Sequence, residues 1–164
     1  MKYIYIGKIV NTHGIKGELR ILSEFEYKNL IFNPGTNLYI GKGYEKHTIN
    51  TYRPHKNYDM VTLDNYNNIN DVLKFKGDKV YIIKEEIPEL NSIILNEDII
   101  GMKAYISDEY IGNVVDIYNT GVNYKVIEVY NDLNNKKTLI PYHKDFINNI
   151  NLTDKSIKFK GGML

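Results

Sequence analysis

Gly7-Lys8-Ile9-Val10-Asn11-Thr12-His13-Gly14-Ile15-Lys16-Gly17-Glu18-Leu19-Arg20 is the stretch whose reading decides the fold. Two short apolar runs flank a connection holding Thr12, His13, Gly14 and Gly17, a pattern that reads as two β-strands joined by a shaped turn. Gly14 and Gly17 are the structural turn residues: lacking a Cβ, they accept positive φ at no steric cost, and this displays His13 and Lys16 at a strand end. A β architecture and a first candidate surface follow from the same residues.

Working outward, Tyr3 to Val10 is rich in Tyr, Ile and Val and is expected to be the first strand. Glu18 to Leu22 alternates polar and apolar residues, with Leu19 and Ile21 on one face. Asn33-Pro34-Gly35 marks a turn before a short strand at Leu38–Ile40. His47 to Arg53 and Tyr58 to Leu63 alternate with period two, and Pro54-His55-Lys56-Asn57 is expected to join them as a hairpin loop. Ile69, Val72, Leu73 and Lys76 have helical spacing, with Asn68 or Asn70 to cap the start and Gly77 to end it. Lys79 to Ile83 then returns as a strand.

At Glu85-Glu86-Ile87-Pro88-Glu89 the composition turns acidic and loses periodicity. This is the expected linker, extended because Pro88 pushes Ile87 away from helical geometry. Five short strands are expected beyond it, over 102–106, 111–118, 124–130, 137–140 and 156–159, with a single helical turn over 145–150. Five strands at this spacing suggest a small barrel or a compact half-open sheet, and the chain is expected to divide into all-β domains over residues 1–84 and 96–164 with a linker over 85–95.

The composition is that of an ordinary globular protein, and the chain has no cysteine, which excludes disulfides, thiolate metal sites and a cysteine nucleophile. No stretch has the length of a membrane span or the layout of a signal peptide, so a cytoplasmic protein is expected. Net charge is +1, yet residues 1–84 carry 13 Lys and Arg against 8 Asp and Glu, whereas 85–164 carry 8 against 12. A basic half fits a phosphate-rich partner and an acidic half a basic protein. Arginine occurs only at Arg20 and Arg53, whereas there are 15 tyrosines. That bias fits an AT-rich genome, so Tyr3, Tyr5, Tyr39 and Tyr52 read as mixed core and surface packing more than as a base-stacking platform.

Chemistry has few candidates. His13 and Glu18 face each other across the turn as a possible base and orienting carboxylate, but no Gly-x-Ser-x-Gly elbow supplies a nucleophile. His13, His47, His55 and His143 form no metal-ligand motif, and no phosphate-cradling glycine loop is present, so neither metal nor cofactor is expected. His55, between Arg53 and Lys56, reads first as an ordinary exposed loop histidine, and a phosphate contact fits it better than a metal.

The quoted opening stretch resembles the signature of the RimM family of ribosome maturation factors. Asp98-Ile99-Ile100-Gly101-Met102 with Tyr110-Ile111-Gly112-Asn113-Val114 is similar to the start of that family's C-terminal PRC barrel, and Leu139-Ile140-Pro141, Asp145-Phe146-Ile147 and Gly162-Met163-Leu164 to its close. The resemblance implies a six-stranded, translation-factor-like barrel, a linker and a PRC barrel. It also implies a monomeric, non-catalytic assembly factor that binds the free small ribosomal subunit near its head, contacts the head protein S-nineteen, touches rRNA and supports 16S rRNA maturation. A small hydrolase or isomerase using His13 and Glu18, or a general RNA-binding module, are the alternatives.

The family's adjacent aromatic pair, associated with ribosome binding, is here Ile94 and Leu95, and its Gly-Ala-Asn-Asp pattern reads Gly121-Val122-Asn123-Tyr124. The ribosome-binding candidates are therefore Thr12, His13, Lys16, Arg20, Arg53, His55, Lys56, Ile94 and Leu95.

Overall fold

The computed structural model describes residues 2–121 and 123–162. Val122, Met163 and Leu164, which the family comparison draws on, lie outside the described residues. The chain divides into two units, Met1–Ile93 and Ile94–Leu164.

In the first unit β1 (Tyr3–His13), β2 (Glu18–Leu22), β3 (Asn37–Ile40), β4 (Glu45–His55), β5 (Tyr58–Leu63) and β6 (Lys79–Ile83) close a barrel in the order β1-β2-β5-β4-β3-β6. Alternation explains the closure: Ile4, Ile6, Leu19, Ile21, Val61, Leu63, Val80 and Ile82 are buried, while Tyr3, Tyr5, Lys8 and Lys79 face outward. β1 has 11 residues and serves both neighbours, bulging between Ile9 and Asn11 against β2 and between Tyr5 and Gly7 against β6. At Gly7 the wall bends so tightly that a Cβ would stand 2.6 Å from the Leu22 carbonyl oxygen.

The expected helix is present as α2 (Ile69–Val72) followed by a 3-10 turn over Leu73–Phe75, with the Asn68 side chain accepting from the Asn70 N–H. It follows an unforeseen single turn, α1 (Lys28–Ile31), whose Ile31 is buried. Two sequence expectations change. Pro54 and His55 belong to β4, not to a loop, because β3 ends opposite Thr48 and leaves that part of β4 with β5 alone, where a missing N–H is tolerated. The acidic stretch is not extended: Lys84–Glu86 and Pro88–Leu90 wind into 3-10 turns with Ile87 and Leu90 buried.

The second unit opens with α3 (Asn96–Ile99), where the Asp98 carboxylate accepts from the Leu95 N–H at 2.8 Å. Its six strands are β7 (Lys103–Ile106), β8 (Glu109–Asn119), β9 (Lys125–Asn131), β10 (Lys136–Pro141), β11 (Ile147–Asn151) and β12 (Ser156–Phe159). They run in the order β10-β9-β8-β7-β12-β11, with β12 parallel to β7 and every other pair antiparallel. Ile99, Met102, Val114, Ile127, Val129, Ile140, Ile157 and Phe159 form its core. The helical turn expected over 145–150 is instead a turn leading into β11, which pairs with β12.

Candidate functional site

Antiparallel pairing of β2 with β5 sets the β1–β2 turn beside the Val61 end of β5 and the β4–β5 turn toward the Leu22 end of β2, and side chains of the two hairpins converge on the outer face between them. Gly14 and Gly17 both take positive φ, +69° and +87°. Gly17 has a second constraint: a Cβ there would stand 2.9 Å from the Tyr66 carbonyl oxygen, and beside it the Ile15 carbonyl accepts from the Ile69 N–H at 2.9 Å. The turn is thus held by the start of α2. The opposite turn is only two residues, Lys56 and Asn57, with His55 paired to Tyr58.

Register then builds the cluster. Arg20 is opposite Met60, and Met60 is opposite Arg53, so the two arginines stand to either side of a fully buried methionine. Arg53 grips Glu18 with two parallel hydrogen bonds, Nε to Oε2 and Nη2 to Oε1, each 2.8 Å. Arg20 Nη2 lies 2.6 Å from His13 Nδ1, joining the two side chains. The Arg20 guanidinium also lies 5.6 Å from the centre of the Tyr58 ring, and the His13 and His55 rings are 5.6 Å apart. Lys16 and Lys56 are exposed on the two turns, and Ile15, beside Lys16, is 78% exposed.

The electrostatics are those of a cationic surface. Hydrogen bonding from Arg53 holds the Glu18 carboxyl below its ordinary range against the opposing effect of burial, with the charges of Arg53, His13 and His55 adding to it. His55 is also pushed down, first by desolvation and then by Arg53, Lys56, His13 and Arg20. In both, the surrounding positive charges are the secondary cause and act in the direction of the shift. A cleft of about 350 Å³ opens there, lined by His13, Gly14, Ile15, Lys16, Glu18 and Thr62. Such an arrangement suits an anionic group on a larger partner, phosphate above all.

Six of the nine candidates therefore gather: His13, Lys16, Arg20, Arg53, His55 and Lys56. Thr12 does not join them, because it pairs with Leu19 and shares that residue's inward side of the strand. Ile94 packs on the core of the second unit, and Leu95 is 3% exposed. His13 and Glu18 are opposite each other in register, but each is hydrogen-bonded to an arginine and not to the other. Sequence reasoning missed Ile15 and Tyr58. It had a partial signal for the rest: Glu18 and Arg20, like Arg53 and His55, are two apart in strands and so share a face.

Comparison with known proteins covers both units. The family model described as RimM N-terminal domain matches residues 4–87, and that described as RimM PRC barrel domain matches residues 96–163. A ribosome maturation factor RimM of Exiguobacterium sp. is 36% identical over 161 residues, spanning 96% of this chain and 92% of the relative. The RimM of Staphylococcus haemolyticus is 36% identical over 160 residues, spanning 94% and 93%. A solution structure of the N-terminal domain of RimM from Thermus thermophilus is 20% identical, with a TM-score of 0.47, over 56% of this chain and all of that one.

Proposed function

The chain belongs to the RimM family of ribosome maturation factors, and from that premise we propose that it binds the free small ribosomal subunit at its head and supports 16S rRNA maturation. It acts by occupancy as a monomer in the cytoplasm. It holds part of the immature head in a productive arrangement and leaves when mature contacts compete for the same surface. The cationic face of the two hairpins carries this reading: Arg20, Arg53, Lys16 and Lys56 bring it four positive charges, with Glu18 tied to Arg53, as a phosphate-rich partner requires. The contact to protein S-nineteen, a basic partner, falls to residues 85–164, whose acidic balance comes mainly from Glu85, Glu86 and Glu89 ahead of the second unit.

No catalytic step is proposed. The two groups best placed for one, His13 and Glu18, are committed to Arg20 and Arg53.

Co-sedimentation tests the proposal. The purified protein is expected in the free small-subunit fraction and absent from assembled ribosomes, and an Arg20→Gln/Arg53→Gln variant is expected to leave that fraction at moderate salt. Equal association with both fractions, or none with either, overturns it.

A further inference from the structure

A second surface lies on the barrel wall formed by β3, β6 and β1. Tyr39 is opposite Tyr81 and Tyr81 opposite Tyr5, so three tyrosines form one row across three strands. Tyr3 and Tyr44 extend it: their rings stack with centres 4.0 Å apart and planes 6° from parallel, and Tyr3 and Tyr44 both meet Tyr81 edge-on. Tyr5 meets Tyr81 at 5.9 Å and Tyr3 meets Tyr39 at 5.3 Å. Tyr52, by contrast, turns away from this wall, stacking on Phe32 and donating to Asp59.

Three features set this patch apart from ordinary surface packing. Tyr3, Tyr5 and Tyr44 remain 39%, 48% and 38% exposed, although a solvated barrel face normally carries polar side chains at such positions. Tyr44 has φ of +52°, a conformation a bulky residue rarely adopts, and in it the ring lies flat on Tyr3. Beside the tyrosines, Lys8 and Lys79 are directly opposed in register. Neither is ion-paired to a carboxylate among the described residues, and the Lys79 ammonium is 5.9 Å from the centre of the Tyr5 ring. Like charges facing across a strand pair repel, an arrangement that a bound anion relieves. Lys46 adds an exposed cation opposite Tyr39; of the carboxylates bordering this wall, Glu86 accepts from the Tyr39 hydroxyl at 2.7 and 3.0 Å, and Asp78 lies beside Gly41.

We infer that this wall binds single-stranded nucleic acid, with unpaired bases stacking on Tyr3, Tyr5 and Tyr44 and the backbone phosphates held by Lys8 and Lys79. Aromatic faces next to unpaired lysines match that chemistry, and a protein partner would leave the lysine pair uncompensated unless it brought carboxylates of its own. That the natural strand is RNA rests on the ribosomal role proposed above; the stacking chemistry does not.

The test is fluorescence anisotropy of the full chain with a dye-labelled, unstructured 12-nucleotide RNA, the DNA of the same sequence, and a duplex RNA. Single strands are expected to bind and the duplex to bind at least tenfold more weakly. Tyr5→Thr/Tyr44→Asn is expected to lose about tenfold in affinity with the slope against log salt unchanged, since threonine keeps strand propensity and asparagine tolerates positive φ. Lys8→Gln/Lys79→Gln, which removes a repulsion and so folds at least as well, is expected to flatten that slope by about 1.4.

Binding by both double variants equal to the parent, or a preference for duplex, overturns the inference. So does a failure to bind any single strand by a chain that still co-sediments with small subunits, and that outcome leaves the functional proposal standing.

Discussion

Gly17 meets two demands at once, a positive φ and a backbone only 2.9 Å from where a side chain would begin. Gly17→Ala is expected to cost ~2–3 kcal/mol, read by chemical denaturation, because both the left-handed strain and the contact with the Tyr66 carbonyl must be absorbed. Gly14, with a similar φ but open space around it, should cost less for the same change. His55 supplies a pH signature. Its folded-state value lies below the ordinary one of about 6.5, so the unfolded chain takes up the proton first. The stability His55 contributes is therefore complete above that ordinary value and is lost as pH falls through its own folded value. Desolvation presses that value down first and the charges of Arg53, Lys56, His13 and Arg20 add to this, so a phosphate among them offsets the part due to charge. NMR titration of the imidazole is expected to show a value below 6.5 in the free protein and an upward shift when small phosphate-bearing ligands are added.

The β4–β5 hairpin shows what a strand pair contributes and what it costs. Lys56 occupies the first place of a two-residue turn at φ of +57°, a position that favours glycine. Lys56→Gly is expected to raise stability by ~0.5–1 kcal/mol, strain relief outweighing the added freedom of the unfolded chain, and to weaken association with small subunits by removing a charge. A thermal melt and a co-sedimentation assay would separate the two effects. Much at this scale was legible in the sequence: the six strands of the barrel, the helix capped by Asn68 and the glycine turn all follow from local pattern. What was not legible has a physical reason. β11 is Ile147-Asn148-Asn149-Ile150-Asn151, whose asparagines have poor strand propensity, and it is a strand because β12 pairs with it. α1 and α3 have four residues each, too few for periodicity to declare them. The candidate residues could be named one by one, but their meeting depends on the pairing of β2 with β5, a contact between segments about forty residues apart in the chain. Local pattern carries no record of such pairings.

As a whole the protein is two cores in one chain, a closed barrel and a six-stranded sheet, each with its own apolar side chains. Residues 1–93 expressed alone are expected to give a cooperative melt and the native chemical-shift pattern of the barrel, including the ring-current shifts of the stacked tyrosines; a fragment without a transition would show that the barrel depends on the rest of the chain. The order β10-β9-β8-β7-β12-β11 gives the second unit a different history. β7, β8, β9 and β10 follow one another along the chain and pair as they appear, but β7 meets its second neighbour only when β12 arrives, about fifty residues later. During vectorial synthesis the first four strands therefore wait as a meander with an open edge at Lys103–Ile106. The interval between making β7 and making β12 is the window in which this factor is most exposed to mispairing, and a nascent-chain experiment should find protease resistance of the second unit arising in one step, after β12 has emerged.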